Sequence, residues 1–205
     1  MNRRGRLVAF EGGEGCGKST QAALLASSLG AVLTREPGGT EIGARMRSIV
    51  LDTAVGSRLD PRAEALLMAA DRAQHVAEVI GPALARGDDV VTDRFTGSTL
   101  AYQGFGRGLD VAELAALSSW STAGIEPALV ILLDLPAEVA LARLARALDR
   151  MEAAGDDFHR RVTDGYRALA VADPCHWRVV DGSGRVDEVA ARVVAAFGAW
   201  AEQQP

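Results

Sequence analysis

Short apolar runs alternate along this chain with longer stretches in which apolar residues recur every three or four positions. Leu7–Phe10, Ala31–Thr34, Val90–Asp93, Leu129–Asp134 and Trp177–Asp181 are short, aliphatic and flanked by Gly, Pro or Asp, which predicts strands. Between them, Lys18–Leu29, Glu41–Leu51, Pro61–Arg86, Val111–Trp120, Ala137–Met151, Asp157–Ala172 and Asp187–Ala201 carry the helical period. Leu129 to Leu133 contains no polar residue, as a strand covered on both faces requires. The alternation predicts an α/β fold, a five-stranded parallel sheet with helices on both faces and ligands beyond the strands' carboxyl ends. No internal repeat or low-complexity linker breaks the pattern, so residues 1–205 are expected to form a single domain.

Composition narrows the classes. With 205 residues and 48% hydrophobic content, the chain can bury one sizeable core. The formal net charge is −5 and no long block of basic residues occurs, which disfavours nucleic-acid binding. Arg3, Arg4 and Arg6 resemble the start of a signal peptide. The apolar run after them spans only Leu7–Phe10, too short for a secretory core or a membrane span. Cys16 and Cys175 form neither a disulfide framework nor a C-x-x-C metal site, which fits a cytoplasmic protein.

The most specific chemistry lies in Gly12-Gly13-Glu14-Gly15-Cys16-Gly17-Lys18-Ser19, which fits G-x-x-x-x-G-K-[ST] and joins a predicted strand to a predicted helix. Lys18 is the only lysine among 22 lysines and arginines. A compact ammonium fits a nest of phosphate-cradling amides where a forked guanidinium does not. Gly12 to Lys18, with Ser19 and Thr20, are therefore expected to bind a nucleoside triphosphate. Lys18 would reach the β and γ phosphates, and Ser19 would ligate Mg²⁺. A glycine-rich turn that binds nothing is the alternative. Guanine recognition by N-K-x-D needs a second lysine, so ATP is favoured over GTP.

Asp93-Arg94 ends a strand at the sheet's ligand edge. Asp93 can hold Mg²⁺, and Arg94 can bridge donor and acceptor phosphates; the alternative is a surface ion pair. Asp134 ends another strand, as a structural residue or a second metal candidate. In the Ala137–Met151 helix, Leu141, Leu144 and Leu148 share one face and Arg143, Arg146 and Arg150 another. That stripe either supplies guanidinium to a transferring phosphoryl group or is a solvated face. His75 and Cys175 read as packing or surface residues, and Trp120, Trp177 and Trp200 as core or interface.

Six stretches together resemble the bacterial thymidylate kinases. They are Phe10-Glu11-Gly12 into the loop, Thr34-Arg35-Glu36-Pro37-Gly38-Gly39-Thr40, Ala70-Asp71-Arg72-Ala73-Gln74-His75, Asp93-Arg94-Phe95, Ser98 to Gly104, and Asp149-Arg150-Met151-Glu152. The resemblance covers nearly the whole chain and implies the P-loop kinase fold, with ATP and dTMP as substrates, Mg²⁺ as cofactor and a homodimer. It implies that Arg72 and Gln103 hydrogen-bond the thymine edge, with Thr99 beside it and Pro37 nearby. Arg47 and Arg94 would hold the dTMP phosphate, Glu14 would meet the deoxyribose 3′-OH, and Tyr102 would disfavour a 2′-OH. A lid near 143–155 would bring Arg143 and Arg150 over ATP, and Asp181 to Gly184 would border the adenine. The chain departs from the family pattern at Met68, where a phenylalanine often stacks on thymine, at Phe95, where tyrosine is common, and at Thr99, where serine or asparagine is.

The implied catalytic set is Lys18, Arg94 and Arg150, with Ser19 and Asp93 at the metal. No general base is required, because a phosphate monoester with a second pKa of about 6 is largely dianionic at neutral pH. Two rivals stand beside this reading: a kinase for another nucleoside monophosphate, and a regulatory module that binds ATP and transfers nothing.

Overall fold

The computed structural model of the chain describes residues 4–54, 58–136, 139–140, 143 and 149–203. Five strands, β1 (Leu7–Glu11), β2 (Val32–Arg35), β3 (Val90–Asp93), β4 (Leu129–Asp134) and β5 (Trp177–Asp181), form a parallel sheet in the order β2-β3-β1-β4-β5. The pairing sets Leu7 against Val90 and Val8 against Leu129. The helices are α1 (Lys18–Leu29), α2 (Glu41–Leu51), α3 (Pro61–His75), α4 (Gly81–Arg86), α5 (Thr96–Thr99), α6 (Val111–Ser121), α7 (Asp156–Ala172) and α8 (Val186–Ala201).

Strand alternation divides the core into two layers. Val8, Phe10, Ile131 and Leu133 point to the face covered by Leu25 of α1 and Val193 and Trp200 of α8. Leu7, Ala9 and Val130 point to the opposite face, against Ile80 and Leu84, and Leu132 packs there against Tyr102, Phe158 and Tyr166. A five-stranded parallel sheet with helices on both faces was the expected architecture.

Several boundaries differ from the sequence pattern. β2 starts one residue late and alternates between partly buried and exposed positions, as an edge strand does. The helix expected over Pro61–Arg86 is interrupted by a π-helical turn, Val76–Ile80, between α3 and α4. Pro82 has no N–H and its ring crowds the preceding turn; the wider turn, in which Gly81 N donates to Val76 O, absorbs it. α5 likewise passes into a π-helical stretch, Leu100–Gly106. Of the helix expected over Ala137–Met151, the leucine stripe and Arg146 lie outside the described residues. Its carboxyl end is a turn rather than a helix. The Asp149 carboxylate accepts from the backbone N–H of Met151 (2.9 Å) and Glu152 (3.0 Å) and starts a 3₁₀ turn at Glu152–Ala154.

The topology places the ligand crevice. The connection leaving β1 runs to β2 on one side, and the one leaving β3 crosses to β4 on the other, so the carboxyl ends of β1 and β3 border a gap. The phosphate loop and Asp93-Arg94 meet there. Because Ile131 is fully buried at the centre of this frame and Val179 is 57% exposed, Ile131→Ala is expected to cost about 2–5 kcal/mol in urea denaturation, against under ~0.5 kcal/mol for Val179→Ala.

Candidate active site

Two glycines of the phosphate loop are sterically required. Gly12 has φ 142°, and a Cβ there would lie 2.6 Å from the Leu133 carbonyl oxygen. Gly15 has φ 73°, and a Cβ would lie 2.1 Å from the Ala140 carbonyl oxygen. The N-cap of α1, Gly17, provides no side-chain cap, so the first amides of the helix remain for an anion. Lys18 is buried beside them, its Nζ donating to Gly13 O at 2.6 Å. The loop opens on a cavity of about 700 Å³ lined by Lys18, Ser19, Thr20, Arg35, Asp93 and Arg94 among others.

Asp93 faces Ser19 across this cavity. Its Oδ2 accepts from Ser19 Oγ at 2.5 Å, and its buried Oδ1 has no hydrogen-bond partner. An orphaned carboxylate oxygen beside a hydroxyl is the donor set a hard divalent cation uses. Among the described residues no cluster of three or more His, Cys, Asp or Glu could hold a metal alone, so phosphate and water oxygens would complete the shell.

Arg94 follows at φ 76°, a left-handed conformation that costs a non-glycine residue about 1–3 kcal/mol. Its side chain explains how that cost is sustained. Nη1 donates to Gly12 O (3.0 Å), Ser98 Oγ (3.1 Å) and Tyr166 OH (3.0 Å); Nη2 donates to Glu14 Oε1 (2.5 Å) and Tyr102 OH (3.1 Å). Burial pushes the Arg94 pKa down, but Glu14 and the two tyrosines outweigh it and hold the guanidinium charged. Burial likewise raises the Glu14 carboxyl. Arg94, Lys18 and the Tyr102 hydroxyl overcome that and hold it at about 2. Beneath them Glu11 is fully buried. Burial pushes its pKa up, although it accepts from the backbone of Phe95 and Ser98 and the hydroxyls of Ser98 and Tyr166.

A second cavity, of about 100 Å³, adjoins the first and is lined by Pro37, Met68, Asp71, Arg72, Thr99, Tyr102 and Gln103 among others. Glu14, Glu36, Arg47 and Arg94 line both. Arg72 is held by three acceptors: Nε to Glu36 Oε2 (2.8 Å), Nη1 to Thr99 Oγ1 (3.0 Å) and Nη2 to Phe95 O (3.0 Å). His75 is packed rather than catalytic, fixed between Thr34 Oγ1 and Glu36 Oε1. At the junction Arg47 donates through Nη1 to Pro37 O (2.9 Å). Burial and then the neighbouring Arg35 lower its pKa, the mark of gathered positive charge that an anion would relieve.

Two expected residues stand apart. Arg143 donates to Gly182 O at 3.2 Å and so lies against the 181–184 turn. Arg150, expected over ATP, is not among the residues lining the Lys18 cavity. It is buried, its Nε donating to Val50 O (2.6 Å) and its Nη2 to Glu64 Oε2 (2.5 Å), because the turn begun by Asp149 directs it into the gap between α2 and α3. Asp134 pairs with Arg167 of α7 (3.1 Å). Trp120 is exposed on α6, while Trp200 is core.

A family model described as thymidylate kinase matches residues 10–193. The chain belongs to the thymidylate kinase family. It is 51% identical over 192 residues to a thymidylate kinase of Synechococcus sp. (strain JA-2-3B'a(2-13)), covering 91% of each chain. It is 52% identical over 200 residues to that of Leifsonia xyli subsp. xyli (strain CTCB07), covering 94% of each. The fold superimposes on the crystal structure of thymidylate kinase from Ehrlichia chaffeensis with a TM-score of 0.79 at 28% identity, covering 95% of this chain and 99% of that one.

Sequence reasoning missed the buried layer behind this family's motifs. Glu11, Glu36 and Ser98 stood inside recognised stretches but were given no role. Glu64 and Tyr166 belonged to no stretch, and their one signal was a polar residue at a helix position facing the core.

Glu14 titrates at about 2 when folded, against 4.5 for an unperturbed carboxyl, so it stabilises the fold above 4.5 and that contribution fades as pH falls through the folded value. The stability gap between wild type and Glu14→Gln is therefore expected to stay constant from neutral pH to 4.5 and to close towards pH 2. Denaturant midpoints across that range check it; a gap that widens in acid contradicts the assignment. Arg150→Ala is expected to lose about 3 kcal/mol of stability, the low end for a broken buried pair, because Arg107 continues to hold Glu64. ATP affinity by calorimetry should be unchanged.

Proposed function

We infer that the chain transfers the terminal phosphoryl group of ATP to dTMP, giving ADP and dTDP. The observation that carries this reading is the pair of adjoining cavities that share Arg47, Arg94 and Glu14. One is built on a phosphate loop and the other is lined by Met68, Arg72, Thr99 and Gln103, so donor and acceptor phosphates meet at two arginines.

The residues divide the work. The loop from Gly12 to Gly17, with Lys18, Ser19 and Thr20, holds the ATP phosphates. Arg143, which donates to Gly182 O beside the 181–184 turn, would meet the nucleoside end of ATP. Ser19 and Asp93 would hold Mg²⁺, which supplies charge neutralisation at the phosphate oxygens. Arg47 and Arg94 take the dTMP phosphate. Arg47 has N–H groups beyond the one given to Pro37, and Arg94 is already charged and oriented. Glu14 and Tyr102, bonded to each other at 2.8 Å, form the sugar wall. Met68 lies against the base. The acceptor oxygen carries its own charge, so positioning and electrostatics suffice without a base.

We further read the chain as one domain with a lid near 143–155, acting as a homodimer in the cytoplasm. Trp120 on α6 (80% exposed) and Leu66 on α3 (58%) support an apolar contact between copies, and the free thiols of Cys16 and Cys175 suit a reducing compartment.

A coupled ADP-release assay with a panel of monophosphates tests the activity. Stimulation by dTMP well above dCMP, dGMP and dAMP is the expected result. Equal rates would select a broad monophosphate kinase, and no stimulation would select an ATP-binding module.

A further inference from the structure

Glu64 lies behind the smaller cavity without lining it. It is fully buried on α3 and receives three partners: Gln103 Nε2 at 2.8 Å on Oε1, Arg150 Nη2 at 2.5 Å and Arg107 Nη2 at 3.2 Å on Oε2. Burial raises its pKa, but the Gln103 amide, Arg150 and Arg107 together bring it below the ordinary value, so the group is a carboxylate. A carboxylate only accepts. The amide of Gln103 can therefore meet it only with its NH₂ end, and the end left for the cavity is the carbonyl Oε1.

This orientation has a chemical consequence at the base. Thymine presents an N–H donor at N3 and an acceptor at O4; cytosine presents an acceptor at N3 and a donor at N4. Arg72 has five N–H groups and commits three of them to Glu36, Thr99 and Phe95 O, which leaves donors for O4. Oε1 of Gln103 supplies the matching acceptor for N3–H. Were the amide reversed, it would match the N3 of cytosine instead.

We propose that Glu64 is a positioning residue for base choice, locking the Gln103 amide so that only an acceptor faces the pyrimidine N3. Arg150 is part of the same device, since it anchors the carboxylate from the opposite side. The inference rests on the reading of Gln103 and Arg72 as contacts of the base.

The test is kcat/KM for dTMP and for dCMP in wild type, Glu64→Gln, Glu64→Asp and Gln103→Met. Glu64→Gln keeps the shape but offers an amide that can take either orientation. The dTMP preference should fall about tenfold, mostly through KM for dTMP, since an unmatched buried polar group is what enforces such selectivity. Glu64→Asp stays acceptor-only but leaves a void. It should therefore be the less stable of the two variants and yet the more selective, an order that a purely packing role would reverse. If selectivity follows stability, or if Glu64→Gln selects like wild type while Gln103→Met does not, the proposal is overturned and the base reading stands. If Gln103→Met also selects like wild type, the base reading itself has failed. Should the Glu64 variants not fold, side-chain amide NMR of wild type with dTMP decides. The Gln103 NH₂ protons should show no contact with the thymine, and a contact overturns the proposal.

Discussion

Everything at the crevice depends on one buried guanidinium. Arg94 leaves the end of β3 in a left-handed conformation, and its two terminal nitrogens bind the phosphate loop through Gly12 O and Glu14, the π-helical stretch through Tyr102, and α7 through Tyr166. Removing it would separate the loop from the elements that support it and take the ion-pair partner from Glu14, a mostly buried carboxylate. The backbone strain at Arg94 and the desolvation of its charge are both costs that an isolated strand end could not sustain. They are offset because five acceptors converge on one side chain. The same convergence fixes the direction of the charge, which is what electrostatic stabilisation of a transferring group would require.

Behind that centre lies a layer of buried carboxylates, each matched to a residue that faces the cavities. Glu11 holds the backbone after β3 through the N–H groups of Phe95 and Ser98. Glu36 holds Arg72, and Glu64 holds Gln103. Buried carboxylates are unfavourable unless fully partnered, and here each partner is one whose direction matters to the site. The arrangement turns a desolvation cost into rigidity where small displacements would spoil recognition. Arg47 is the exception. It stands close to Arg35 and Arg94 at the junction of the two cavities, with its pKa lowered by burial and then by repulsion from Arg35. A dianionic phosphate is the ligand that relieves it.

Local pattern was enough for the sheet. All five strands were legible because each is a short apolar run with turn residues at its flanks, and the G-x-x-x-x-G-K-[ST] match, with Asp93 at the end of its strand, put Lys18, Ser19 and Asp93 at one edge once the strands were known to be parallel. Boundaries failed where chemistry other than period decided them. Pro82 forced the π-helical turn after α3, and Asp149, a capping side chain, began a new turn where the period still read as helix. Arg150 turns toward Glu64 for that reason, because a stripe of arginines at helical spacing describes one face only if the helix continues.

By itself the sequence determined the fold class, the phosphate loop and the family, since these rest on local spacing and on motifs contiguous in the chain. Only the tertiary structure decided how residues far apart in sequence divide the charge. It set Arg94 against Glu14, 80 residues away, and Arg150 against Glu64, 86 residues away. Such pairings have no local signature. An arginine reads the same whether it ends in solvent, on a phosphate or on a buried glutamate, and only the packing of α2, α3 and the sheet edge fixes which acceptor comes within reach.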